Sequence, residues 1–119
     1  PFENMEEFRA GFLVFLELIK HVLAGRTELR VMPQIASQGA IIQGFAQVQS
    51  PDRLIRENRL SEGLAQLCAD IGLDAKPLPV VADKHPYPLD ALYDAAIEAA
   101  AREAYWRDYE GFGFTEWQP

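Results

Sequence analysis

Apolar residues along the first part of the chain recur every three or four positions. After Asn4 they place Phe8, Phe12, Phe15, Leu16, Ile19, Val22 and Leu23 on one helical face. Asn4 suits a helix N-cap, with Glu7 as its capping-box partner, and Gly25 suits a stop, so the pattern predicts an amphipathic helix over residues 5–24. Between 27 and 50 the periodicity weakens. Pro33, and Gly39 and Gly44 at about 1 kcal/mol each in a helix, predict loops with one short helix there. The stretch "PDRLIREN", residues 51–58, opens on a turn signal and sets an apolar pair between arginines, which predicts a short strand. A second helix is expected from a Ser61 cap, with Leu64, Leu67, Cys68 and Ile71 on its apolar face and Gly72 at its end. Four prolines in residues 74–88 predict an extended connector. The alanine-rich run from Asp90 to Tyr109 then reads as a third helix stopped by Gly111.

Three helices with at most one or two short strands make the visible chain mainly α. A lone strand leaves its backbone groups without partners, so either residues 51–58 are no strand or their sheet lies in other residues. At 119 residues, the chain is expected to be a single domain or the C-terminal part of a larger one. That it begins at Pro1 and not at methionine favours a processed product or a portion of a longer protein.

Charge narrows the partners. Eighteen acidic against eleven basic residues give a net charge of −7, the wrong sign for holding nucleic acid by phosphate neutralisation. The longest apolar run, residues 11–20, contains Glu17 and is too short to span a bilayer, so no membrane partner is expected. The single cysteine, Cys68, forms no internal disulfide, which either fits a reducing compartment, the cytoplasm being the expectation, or is silent on the matter. A second copy of the chain remains open as a partner.

Catalytic vocabulary is sparse. The chain has no Walker-type loop, no Gly-x-Ser-x-Gly elbow, and no His-Glu-x-x-His or Cys-x-x-Cys pair, and no metal site is expected. His21 falls at a helix end, where the dipole favours it, and His85 in the proline connector is the weak candidate for a general base. Basic residues gather only in "DRLIRENR", where Arg53 and Arg56 could present guanidinium forks to a phosphate or sulfate beside Glu57. The same pattern also describes a solvated charged surface. In the tail "AYWRDYEGFGFTEW", acidic neighbours disfavour a nucleic-acid platform, and the glycines let the aromatics fold back to cover a core edge.

Four pieces, in order, resemble carbohydrate-type sulfotransferases. "FRAGFLVFLELIKHVLAG" is similar to the helix before the substrate-side loop, and "MPQ" at 32–34 to the end of the His-Trp-x-Pro-Gln segment. "DRLIRENRLSEGLAQLCADIGL" resembles the strand, Glu-x-Leu turn and helix, and "YDAAIEAAAREAYWRDYEGFGF" the C-terminal helix ending in Tyr-x-x-Asp-Tyr-x-x-Phe-Gly-Tyr. The resemblance implies sulfuryl transfer from 3′-phosphoadenosine-5′-phosphosulfate to a hydroxyl or amine of a small-molecule or carbohydrate acceptor, on an α/β P-loop-like fold. It implies that Arg53, Arg56 and Glu57 lie at the nucleotide edge, and that Arg30, Pro33 and Gln34 face the acceptor. The family's 5′-phosphosulfate loop and its Arg…Ser stretch have no counterpart here, and Arg30 and Val31 stand where the family has His-Trp. A polyanionic donor needs such a loop, so the visible residues alone are expected to be inactive and the loop is expected upstream of Pro1. The alternative, from a different class, is a small helical interaction module without chemistry.

Overall fold

The computed structural model describes residues 2–79 and 85–117. Its helices in chain order are α1 (Met5–Leu23), α2 (Gln38–Ala46), α3 (Leu60–Asp70), α4 (Leu89–Leu92), α5 (Ala95–Ala104) and α6 (Trp106–Phe112). Short 3-10 turns at Pro33–Ile35 and Glu57–Arg59 precede α2 and α3. The chain is mainly helical, as expected, and no strand occurs among the described residues.

α1 forms where the apolar period predicts it. The Asn4 side chain accepts from the Glu7 N–H at 2.9 Å, while the Glu7 carboxylate accepts from the Glu3 N–H at 2.9 Å. The cap therefore closes one residue earlier than a standard capping box. α2 is the short helix expected between 27 and 50, and the connector has neither helix nor strand at 74–79 and 85–88. The rest of that predicted connector, 80–84, lies outside the described residues.

Three expectations are corrected. Residues 51–58 are not a strand: the segment reaches Arg56 in an extended conformation and then enters the 3-10 turn, with no strand among the described residues to complete a ladder. Ser61 is not a cap, because the 3-10 turn feeds directly into α3 and the helix begins one residue earlier. Third, the alanine-rich run is three helices rather than one. Tyr93 and Asp94 are extended, and the Asp94 carboxylate accepts from the N–H groups of Ala96 and Ile97 at 2.9 and 3.0 Å, restarting the helix as α5. Tyr105 breaks it again, and the stop is Gly113 (φ 62°) with Gly111 inside α6. Only a left-handed residue lets the Phe114 N–H return to the Tyr109 carbonyl, at 3.1 Å.

α1 and α5 lie side by side and run in the same direction. Arg9 pairs with Asp94 at 2.6 Å near their starts, and Lys20 pairs with Glu103 at 2.8 Å near their ends. Between them Leu16, Leu92 and the fully buried Ile97 form the core, flanked by Phe8, Phe12 and Leu13. Ala100 and Ala101 of α5 pack against it as well. α3 stands apart from this core. None of its residues is buried, and Ile55 packs against its Gly63. Its anchors are an Arg53–Asp70 ion pair and the Arg56 guanidinium, which donates to the Phe112 carbonyl and lies 5.8 Å from the Phe114 ring. The radius of gyration, 17.2 Å, accordingly exceeds the value of about 13–14 Å typical of a compact domain of this length.

Candidate functional site

The break at Tyr105 decides where the C-terminal residues point. It turns α6 so that Asp108, only 3 % exposed, faces the start of α2. The carboxylate accepts from the Ser37 hydroxyl at 2.8 Å, the Gln38 N–H at 2.7 Å and the Gly39 N–H at 2.9 Å. Ser37 in turn accepts from the Ala40 N–H at 3.3 Å. The partial positive charge of the α2 N-terminus is thereby met by a carboxylate from another helix. Any side chain at Gly39 would bring its Cβ to 3.1 Å from an Asp108 oxygen. One turn earlier, the Tyr105 hydroxyl donates to the Ile35 carbonyl at 3.1 Å, and burial together with the Asp108 charge pushes that hydroxyl above its ordinary pKa. α2 buries no residue of its own, so these polar contacts do much of the work of fixing it.

Held this way, α2 forms one wall of an open cleft of ≈ 790 Å³, with the end of α1 and helices α5 and α6 as the others. Tyr105, Trp106 and Phe112 give it an aromatic side, and Ala36, Gly39 and Ala40 give it room opposite. Lys20 on its rim is tied to Glu103 at 2.8 Å and to Glu17 at 3.3 Å, and these bonds raise the lysine pKa. The Lys20 bond in turn holds the Glu103 carboxyl below its usual range. Arg107 lies over the Trp106 ring at 5.3 Å. Arg107 and Arg26, also on the rim, have no carboxylate partner among the described residues.

A second hollow, ≈ 490 Å³, is lined by Arg53, Arg56 and Arg59. The fold thus brings together the arginines that the sequence singles out, but each is engaged within the chain. Arg53 pairs with Asp70, Arg56 with the Phe112 carbonyl, and Arg59 with Glu62 at 3.0 Å. Hydrogen bonds from Gln66 and then Arg53 hold the Asp70 carboxyl low, and the Arg59 bond does the same for Glu62. Glu57 is exposed in the 3-10 turn and outside the lining. Arg30 and Gln34 are exposed on the segment leading to α2. His85 lies elsewhere. Its ring is 5.2 Å from that of Phe8, and its Nδ1 is 3.0 Å from the Tyr87 carbonyl. Along α1, Phe8 and Lys20 are separated by about 18 Å, so His85 and the cleft belong to opposite ends of the helix pair.

A further buried carboxylate, Glu98, is invisible to the alanine pattern. The Tyr93 hydroxyl donates to it at 2.5 Å, the Trp117 N–H at 3.3 Å and Arg102 at 3.3 Å. The Trp117 ring sits 4.8 Å from that of Tyr93, and Arg102 lies 4.8 Å over Tyr109. Burial alone would raise the Glu98 pKa, but the bonds from Tyr93 and Trp117, with Tyr109 and the Arg102 charge, outweigh it and leave the group low. Burial, then the bond to Glu98, drives the Tyr93 hydroxyl far above its ordinary value, which keeps it a hydrogen-bond donor at neutral pH. The aromatic tail is therefore folded back onto α5, the packing role its glycines suggested. The sequence signal for Glu98 is an acid flanked by Ile97 and three alanines, ahead of a tyrosine-rich tail.

Among the described residues, no group of three His, Cys, Asp or Glu side chains is arranged to hold a metal ion, and no helix is long and apolar enough to cross a membrane. No family model, no curated protein and no solved structure matches the chain.

Proposed function

We propose that the chain is the acceptor-side portion of a sulfotransferase-like enzyme, an α/β P-loop-like protein whose phosphosulfate loop is supplied by other residues of the same product. The observation that carries this reading is the contact pattern of the C-terminal motif. Tyr105 and Asp108 of the Tyr-x-x-Asp-Tyr stretch bond to Ile35, Ser37, Gln38 and Gly39, immediately after Pro33 and Gln34. Phe112 and Phe114 of the same stretch hold Arg56 of the "DRLIREN" segment. The C-terminal motif thus touches both the "DRLIREN" segment and the residues that directly follow the "MPQ" segment. That supports reading them as a set inherited together.

In the proposed reaction an acceptor oxygen attacks the sulfur of 3′-phosphoadenosine-5′-phosphosulfate in line. A base takes the acceptor proton, and adenosine 3′,5′-bisphosphate leaves with the electrons of the broken S–O bond. Arg53, whose ion pair with Asp70 is partly exposed, can exchange onto the donor, while Arg56, bonded to the Phe112 carbonyl, serves the architecture. Residues 30–34 lie on the acceptor side. Calorimetric titration of adenosine 3′,5′-bisphosphate into the full-length product, with a labelled-donor transfer assay, tests the reading. Saturable nucleotide binding and transfer are expected; absence of both, or of a phosphate loop elsewhere in the product's sequence, would sink it.

One observation favours a second reading as an interaction module: large apolar side chains stand exposed on α2 and beside α3, including Phe45 at 72 % and Ile71 at 61 %. That reading predicts a partner protein and no nucleotide binding by either the chain or the full-length product.

A further inference from the structure

The cleft between α2 and the C-terminal helices has an unbalanced charge in a chain that is strongly acidic overall. Two carboxylates line it, and neither is available to its contents. Asp108 already accepts from three donors at the α2 N-terminus, and Glu103 is paired with Lys20. The rim guanidiniums of Arg26 and Arg107 remain without carboxylates among the described residues. Lys20, Arg26 and Arg107 against Glu103 and Asp108 leave the cleft lining at +1 in a chain of net charge −7, a local positive field. The two guanidiniums stand beside a Trp106 ring that is half exposed, at 50 %, with Arg107 over its face. A guanidinium over an indole presents a flat cationic edge to an anion and leaves the apolar wall beside it open to a ring.

The volume, ≈ 790 Å³, is in the range that takes a small organic ligand. The wall facing the aromatics is built from Ala36, Gly39 and Ala40, and its position is fixed by the Asp108 contacts rather than by the ligand. A largely pre-set wall lowers the cost of ordering on binding. We propose that this cleft binds a small ring-bearing anion, its ring against Trp106 and Phe112 and its carboxylate, sulfate or phosphate between Arg26 and Arg107. As the acceptor of the proposed transfer, such a ligand is a sugar or aromatic hydroxyl compound that already carries an acidic group; that assignment rests on the transferase reading, whereas binding does not.

The test compares two probes of one shape, 1-naphthoate and the uncharged 1-naphthamide, by titration calorimetry on the full-length product. Naphthoate is expected to saturate and to bind about tenfold more tightly than the amide, as two partly exposed ion pairs allow. The exposed double variant R26Q/R107Q, checked for unchanged circular dichroism, is expected to abolish that preference, and W106A to weaken both probes. Equal affinity for the two probes, no saturable binding, or an undiminished preference in R26Q/R107Q overturns the proposal. Transfer assays separate the two ideas. A product that binds naphthoate through the arginines but transfers no sulfuryl group removes the transferase reading and keeps the cleft. One that uses neutral and acidic acceptors with equal kcat/KM keeps the transferase reading and removes the assignment of the cleft ligand as its acceptor.

Discussion

Replacing Asp108 removes the carboxylate that joins α6 to α2. The group is 3 % exposed and accepts from three donors at 2.7–2.9 Å. A hydrogen bond to a charged acceptor is worth about 1.5–3 kcal/mol, and loss of a helix cap about 1 kcal/mol. The three bonds do not add, because Gln38 is exposed and its N–H rehydrates when the carboxylate leaves. One charged bond plus the cap gives about 3 kcal/mol for D108A, and about half of that for D108N, which retains one acceptor oxygen. Gly39 supplies an internal check. Glycine to alanine in a helix normally gains up to about 1 kcal/mol, but here the new Cβ would sit 3.1 Å from the Asp108 oxygen. G39A is therefore expected to be neutral or destabilising in the parent and stabilising in D108A, a coupling of about 1 kcal/mol. Urea unfolding of the four proteins, with hydrogen exchange of residues 37–46, measures both quantities. A D108A effect below about 0.5 kcal/mol, within the range of ordinary surface substitutions, would refute the reasoning, as would G39A acting equally in both backgrounds.

Other consequences follow from the same contacts. Ile97 is fully buried between α1 and α5, so I97A should cost about 2–5 kcal/mol and I97V about 1 kcal/mol in thermal or urea unfolding. The folded Glu98 carboxyl titrates below its unfolded value, so its contribution is present above the usual carboxylate pKa and is lost as pH falls through the lowered one. E98Q should therefore flatten the acid side of a melting-temperature profile below about pH 4.5. It should not abolish that side, because Asp94 and Glu103 shift in the same direction. R56A should raise hydrogen exchange across residues 57–73 while leaving α1 and α5 protected, since Arg56 ties the α3 limb to Phe112 and not to the core; equal loosening of both would contradict that modularity. Under the proposed transfer reading, H85A is expected to leave transfer unchanged, because His85 packs against Phe8 at the end of α1 away from the cleft.

Legibility in the sequence followed the range of the interactions. The limits of α1 could be read because Asn4, Glu7, the apolar period and Gly25 all act within a turn or two of one another. Gly72 ended α3 for the same local reason. The division of the alanine run has one local signal, Asp94, which caps α5, but alanine's high helix propensity on the C-terminal side of it masks the break. The supposed strand at 51–58 failed because β-pattern has meaning only with a neighbour, and none is present among the described residues. Arg53 and Arg56 could be named as a cluster, yet their partners, Asp70 and the Phe112 carbonyl, lie 17 and 56 positions away.

By itself, then, the sequence determined what depends on neighbours along the chain: which stretches are helical, where α1 and α3 stop, the acidic balance, and a tail able to fold back. Only the tertiary structure decided what depends on charges and rings from distant segments. Asp108 became a cap for a helix that begins 70 positions earlier, Glu98 became a buried acceptor for the tail, and Arg26 and Arg107 were left facing a cleft without carboxylates. A side chain's charge is written in the sequence, but its effect is set by which opposite charges come within a few ångströms and how much water is excluded between them.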